Sequence, residues 1–204
     1  MVGVHTANDA DPFRVIWDPL ANAPLRVELE LGSTNEVELT RGEIATEQPI
    51  VARRMSGRRL EDIIWTGNGI PVILSERIVN LLQENGFTGW TTYPITLYAK
   101  AGVVLPGYCG LVITGRCGTA DWSRSQRVLK EYPAGFFPVW RGLHIAEWDG
   151  SDFFMASTGL IGYKFVTDRV RVAFAREHIR NIDFLHLADR YTDKDPTASG
   201  DGSS

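Results

Sequence analysis

The histidines of this sequence are its side chains best suited to acid–base or metal chemistry, but none has a suitable partner nearby in the chain. They are His5, His144, His178 and His186. His144 and Glu147 stand three positions apart in an alternating segment, so a strand would direct them to opposite faces. His178 follows a predicted helix, whose C-terminus favours a cationic imidazole. The histidines therefore predict neither an acid–base dyad nor a metal site.

The short motifs of catalysis and cofactor binding do not occur either. The sequence contains no nucleotide-binding glycine loop, no G-x-S-x-G turn and no H-E-x-x-H helix. Its two cysteines, Cys109 and Cys117, lack the close spacing of paired zinc ligands. We therefore predict a binding protein with no catalytic residue, no metal and no cofactor. The alternative is an enzyme of unrecognised type, with a site assembled from His144 or His178 and a carboxylate such as Asp121.

Charged residues are concentrated in two neighbouring stretches that could form a binding surface. The first is acidic and the second basic: Glu28, Glu30, Glu36 and Glu38, then Arg53, Arg54, Arg58 and Arg59. Arginine suits phosphate, but the acidic stretch could neutralise this cluster within the fold. Because the formal net charge is −4, we predict no direct nucleic-acid partner. The acidic stretch would suit a basic protein partner.

A polar loop offers a second candidate contact. Trp122 stands between Asp121 and Ser123, so we expect it to be exposed. Aromatic anchors contribute a large share of the binding free energy at interfaces. The predicted partner-binding residues are Glu28, Glu30, Glu36, Glu38, Asp121 and Trp122.

A β-hairpin at residues 25–39 is predicted to position the acidic residues. Residues 25–31 alternate apolar and charged side chains, as in a strand with one buried face. Residues 32–35 favour a turn, and the alternation resumes at 36–39. The pattern predicts an acidic outer face that carries Glu28, Glu30, Glu36 and Glu38.

Two helices with matching sequence patterns are predicted 92 positions apart. Ser75 is the expected N-cap of the first, and Gly86 is expected to end it. The buried positions of the two helices correspond: Ile78, Leu81 and Leu82 in the first, and Val170, Ala173 and Phe174 in the second, which begins after Thr167. An apolar extended run follows each helix. Two interpretations fit this pattern, namely two related strand–helix–strand units or two ordinary capped helices.

Length and composition favour one folded domain. The chain has 204 residues, of which 44% are hydrophobic. We predict a flexible N-terminus at 1–12, a single α+β domain at 13–190 and a disordered tail at 191–204. Short strands with two main helices predict a mixed, mainly antiparallel sheet. Residues 1–12 lack the apolar run of a signal peptide and no segment has the length of a membrane span, so we predict a cytoplasmic protein with no membrane contact.

A series of short motifs extends through residues 63–187. They are Ile64-Trp65, Pro71-Val-Ile-Leu-Ser-Glu-Arg77, Glu84-Asn-Gly-Phe87 with Gly89, Tyr93-Pro94, Asp121-x-x-x-Ser125, Gly150-Ser-Asp-Phe-Phe154 and Phe165-Val-Thr-Asp-Arg169. In order and spacing this series resembles the immunity proteins of bacterial polymorphic toxin systems, specifically the "immunity eleven" type.

The resemblance implies a cytoplasmic protein that binds a cognate toxin, encoded nearby, and blocks it. The family has no catalytic motif to carry over to this sequence. The acidic stretch lies outside the matched region, so its role as a toxin contact is inferred from its charge.

Overall fold

The computed structural model describes residues 13–20, 24–46, 48–121, 123–158, 160 and 162–192. Its strands are β1 (Phe13–Trp17), β2 (Arg26–Glu30), β3 (Ile50–Ser56), β4 (Ile63–Thr66), β5 (Val72–Ser75), β6 (Trp90–Tyr98), β7 (Val104–Leu105), β8 (Tyr108–Ile113), β9 (Gly115–Cys117), β10 (Ala120–Asp121), β11 (Gln126–Tyr132), β12 (Gly135–Arg141), β13 (His144–Ile145), β14 (Phe153–Ala156), β15 (Phe165–Thr167), β16 (Asp183–His186) and β17 (Tyr191–Thr192). Its α-helices are α1 (Glu36–Thr40), α2 (Glu76–Glu84) and α3 (Asp168–Arg176).

The predicted α+β class with a mainly antiparallel sheet is confirmed. Most strand pairs are antiparallel, and the parallel pairs among the named strands are β2–β4, β3–β6 and β9–β14. The predicted terminal segments 1–12 and 193–204 lie outside the described residues, whereas Tyr191 and Thr192, placed in the predicted tail, form β17. None of the helices in the described part of the chain is long and apolar enough to cross a membrane.

Six strands close into a barrel that the sequence reasoning did not predict. The order is β3-β2-β4-β5-β8-β6, and β6 pairs with β3 in parallel, with Ile50 opposite Ile95. Alternate residues of these strands form one core cluster, which also receives Leu39 from α1: Leu25, Val27, Leu29, Ile50, Ala52, Ile64, Ile73, Tyr93, Leu97 and Val112. Closure leaves no edge between β3 and β6, so both strands are paired on each side.

The predicted hairpin at 25–39 is wrong in its second half. Residues 26–30 form β2, but residues 36–40 form the helix α1. The side chain of Asn35 accepts hydrogen bonds from the backbone N–H groups of Val37 at 2.8 Å and Glu38 at 3.3 Å. An asparagine N-cap with two carboxylates in the first turn favours a helix, and four alternating residues are too few to exclude one. The antiparallel partner of β2 is β3, further along the chain.

A second sheet repeats part of the barrel with the same strand register. We call β4, β5, α2, β6 and β8 the barrel unit, and β14, β15, α3, β16 and β1 the second unit. In the barrel unit β8 lies between β5 and β6, and in the second unit β1 lies between β15 and β16. The Cα partners across the three strands correspond one to one: Ile73–Gly110–Tyr93 in the barrel unit and Phe165–Val15–Leu185 in the second. The middle strand follows the helix in the barrel unit but precedes all other elements in the second.

The two predicted helices are confirmed together with their buried faces. Ile78, Leu81 and Leu82 of α2 and Val170, Ala173 and Phe174 of α3 are buried in one core cluster. The helices also end alike, because Gly86 and His178 have the left-handed backbone conformation at equivalent positions. The two units therefore share one apolar core.

Candidate functional site

A hairpin made of β11 and β12 carries exposed apolar side chains on both of its faces. The two strands pair along their whole length, and β12 pairs with β17 only at Trp140 and Arg141. Leu129 is 71% exposed and Phe136 is 66% exposed, with Tyr132 and Phe137 also exposed. We call Leu129, Tyr132, Phe136 and Phe137 the hairpin surface. Exposed apolar clusters of this kind are typical of protein contact sites.

The two faces of this hairpin differ. Residues directly opposite each other in an antiparallel pair lie on the same face. Leu129 is opposite Pro138, Glu131 is opposite Phe136 and Arg127 is opposite Trp140, so one face is apolar at its centre with a charged side chain toward each end. On the other face Lys130 is opposite Phe137, and its Nζ lies 5.2 Å from the ring of Tyr132 and 4.5 Å from that of Tyr191. The hairpin thus combines apolar anchors with a cation held against aromatic rings.

The predicted contact residue Asp121 lies close to the base of this hairpin. It belongs to β10 and is directly opposite His144 of β13. Its carboxylate accepts hydrogen bonds from the hydroxyl of Ser123 at 2.5 Å and from the backbone N–H at 2.9 Å, and the hydroxyl bond is the main reason that the pKa of Asp121 is lowered. Both of these hydrogen bonds are donated by Ser123. The predicted anchor Trp122 lies outside the described residues.

The four predicted acidic residues do not form one strand face. Glu28 and Glu30 are exposed on β2, and Glu30 forms an ion pair with Arg53 of the adjacent β3. Glu36 and Glu38 belong to α1, where Glu36 accepts a hydrogen bond from the amide of Asn68. Partial burial raises the pKa of Glu36. The acidic residues are therefore divided between the outside of the barrel and one helix.

The basic cluster is largely engaged inside the chain. Arg53 pairs with Glu30, and its guanidinium lies 4.8 Å from the ring of Tyr98. Arg59 pairs with Glu61, and Arg54 donates to the carbonyl of Gly57 at 2.7 Å. Two of the four arginines, Arg53 and Arg59, are therefore paired with carboxylates within the fold.

His178 and His186 have structural positions, and His5 lies outside the described residues. His178 ends α3 in the left-handed conformation, and the Nδ1 of His186 accepts a hydrogen bond from the backbone N–H of Ala188 at 3.0 Å. Within the residues that the structure describes, no group of three or more His, Cys, Asp or Glu side chains is placed to hold a metal ion.

A cavity that the sequence reasoning missed contains a buried lysine. It has a volume of about 340 Å³ and lies between β1, the turn at 67–70 and residues 162–164. Lys164 is 3% exposed, and its Nζ donates to the carbonyls of Gly69 at 2.9 Å and Gly162 at 3.0 Å. Burial lowers the pKa of Lys164 to about 8. No sequence motif indicates this lysine, because the residues around it come from distant parts of the chain.

The chain was compared with protein-family models and with curated proteins, and neither comparison gave a match. Its function is therefore inferred from the geometry of the chain and from the motif resemblance within residues 63–187.

Proposed function

We propose that this chain is an immunity-type protein that binds a cognate bacterial toxin and blocks it by direct contact in the cytoplasm, without turnover. The observation that carries the proposal is the hairpin surface. Its exposed apolar side chains are unused by the core of the chain, and burying them against a partner would release about 25 cal/mol for each Å² of apolar area.

The position of the hairpin also supports a protein partner. A hairpin that pairs with the body only near its base can enter a concave surface, such as an active-site cleft. Large apolar side chains flanked by charged groups match the usual anatomy of a binding surface, with an apolar centre and a polar rim. Asp121 lies in β10, and residues 122–125 alone separate it from β11, so the two candidate contacts are neighbours in the chain.

The motif resemblance supplies the class of partner. The matched region at 63–187 includes the hairpin, and the motif Asp121-x-x-x-Ser125 immediately precedes it. Blocking a toxin requires surface complementarity and no reactive centre, which agrees with the use of Asp121 as a hydrogen-bond acceptor for Ser123.

We also propose that the second unit arose from the barrel unit by duplication. The identical register of three strands around each helix supports a common origin. The middle strand comes last in the barrel unit and first in the second unit, so the second unit would be a permuted repeat.

The decisive experiment is co-expression with the toxin candidate encoded beside the gene. The unaltered chain should restore growth and bind the toxin in a pull-down, and the double variant Leu129→Ser with Phe136→Ser should weaken binding at least tenfold. The matched control is Val172→Ser, which removes an apolar side chain that is 51% exposed on α3. Equal binding by the double variant and the control would reject the hairpin surface, whereas failure to bind or neutralise any neighbouring toxin would reject the immunity proposal.

A further inference from the structure

The ammonium group of Lys164 is buried without a negatively charged partner among the described residues. Its hydrogen bonds go to two backbone carbonyls, and its Nζ lies 5.6 Å from the ring centre of Trp65. A lysine ammonium has three N–H donors, so these two carbonyls leave one donor unassigned. Carbonyl and aromatic dipoles offset only part of the cost of burying a full charge.

Among the described residues that line the cavity, the charges sum to one unpaired cation. Three charged side chains line it, namely Lys164, Arg26 and Asp18. Arg26 and Asp18 neutralise each other through an ion pair of 2.6 Å. Lys164 remains, so a ligand with a single negative charge would balance the site, whereas a dianion would leave an excess negative charge.

The apolar residues that line the cavity favour contact with the hydrocarbon part of a ligand. Val15, Ile16, Trp65 and Ile70 contribute to the wall. A water molecule occupies about 30 Å³ of liquid, so a small inorganic ion would leave most of the cavity without contacts. Ligand cavities commonly combine an apolar wall with a few polar groups that fix orientation.

We propose that this cavity binds an organic monocarboxylate, with its carboxylate on Lys164 and its apolar body against Trp65 and Ile70. The two carbonyls of Gly69 and Gly162 hold the ammonium at the cavity wall. This site is separate from the hairpin surface, so the proposal is independent of toxin binding.

Octanoate is a suitable probe, with octanamide as its uncharged match and inorganic phosphate as a simple anion. Isothermal titration calorimetry at pH 7 should show octanoate binding at least tenfold more tightly than octanamide, and no binding of phosphate in the cavity. Because only the protonated lysine attracts a carboxylate, octanoate affinity should fall about tenfold between pH 7 and pH 9. Octanamide affinity should change little over this range.

The pH dependence must be separated from other charged groups near the cavity. Asp18 and Arg26 pair with each other, and the hydroxyl of Tyr163 accepts a hydrogen bond from Arg190. Glu36 accepts a hydrogen bond from the amide of Asn68, which lines the cavity. All of them are retained in Lys164→Met, which should lose both the preference for octanoate and its pH dependence. The control is Lys100→Met, an exposed lysine away from the cavity.

A second variant covers the case in which Lys164→Met does not fold. Ile70→Trp should narrow the cavity while keeping the lysine, and octanoate binding should weaken at least tenfold with the circular dichroism spectrum unchanged. The proposal is overturned if octanoate does not bind at millimolar concentration, if octanamide binds as well, or if Lys164→Met binds octanoate like the unaltered chain.

Discussion

Asp152 accepts a hydrogen bond of 2.7 Å from the hydroxyl of Thr167, at the point where α3 begins. Asp62 accepts a hydrogen bond of the same length from Ser75, where α2 begins. Each carboxylate also forms an ion pair with the arginine two positions after the hydroxyl residue: Arg169 at 3.2 Å and Arg77 at 2.6 Å. In both units, therefore, a carboxylate that precedes the first strand fixes the start of the helix.

Replacing these two carboxylates should have unequal costs. Asp152 is 4% exposed and also accepts a hydrogen bond from the backbone N–H of Thr88 at 3.1 Å, so Asp152→Ala leaves the buried hydroxyl of Thr167 and this N–H without their acceptor. We expect a loss of about 3 kcal/mol in unfolding free energy for Asp152→Ala and about 1 kcal/mol for the more exposed Asp62→Ala. Urea unfolding followed by tryptophan fluorescence would measure both. Equal losses would contradict this account.

The end of α3 offers a stabilising substitution. His178 has a φ of 54°, which is unfavourable for a residue with a Cβ, whereas the equivalent Gly86 has a φ of 62° without that cost. We expect His178→Gly to raise the unfolding free energy by about 1 kcal/mol. Asn181→Gly is the matched control: it also has a positive φ, but its amide donates to the carbonyl of Ile63 at 2.7 Å, so a net loss is expected. Thermal unfolding of both variants tests the pair, and a lower melting temperature for His178→Gly would refute the prediction.

Lys164 should make stability depend on pH in the alkaline range. Its pKa is lowered to about 8 in the folded chain, whereas an unfolded lysine titrates near 10.5, so the unfolded chain binds more protons between these values. The unfolding free energy should therefore rise with pH across that window, by about 2 kcal/mol between pH 7 and pH 9.5.

The comparison with Lys164→Met isolates this contribution. Burial raises the pKa of Cys117 to about 12, which acts in the opposite direction as pH rises, but this thiol is present in both chains. The difference in unfolding free energy between the two chains, measured in guanidinium chloride at each pH, should increase with pH. Parallel curves would show that Lys164 is protonated normally.

Charge reversal on β2 tests the acidic contact separately from the hairpin surface. Glu28→Lys with Glu30→Lys should slow association with a basic toxin, and high salt should remove the difference. Stability should change by less than about 1 kcal/mol, because Glu30 loses only an exposed ion pair with Arg53. Surface plasmon resonance at two salt concentrations measures the effect. Unchanged association would discard the acidic contact and leave the hairpin surface intact.

Helices and their ends were predictable because their signals are local. Ser75, Gly86 and the spacing of Ile78, Leu81 and Leu82 lie within twelve consecutive residues, and the pattern recurs at 167–178. The sequence alone left open whether the two helices belonged to related units. The strand pairings have equal register in the two units, a feature that the local sequence signals do not contain.

Barrel closure and the lysine cavity depend on contacts between distant residues. β3 pairs with β2 on one side and with β6 on the other. The most distinctive feature of its sequence is its arginines, and these indicate neither partner strand. Lys164 contacts Gly69, which is 95 residues away in the chain. The four residues at 36–39 fit both a strand and a helix, and the Asn35 cap decides between them.

The place of β1 between β15 and β16 has a consequence for synthesis. On the ribosome β1 emerges before its partners β15 and β16, and it remains without them until roughly 150 further residues have been translated. The barrel, by contrast, has all its strands once β8 has emerged. During that interval the buried apolar residues of β1, Phe13, Val15 and Ile16, are accessible to chaperones and to other nascent chains.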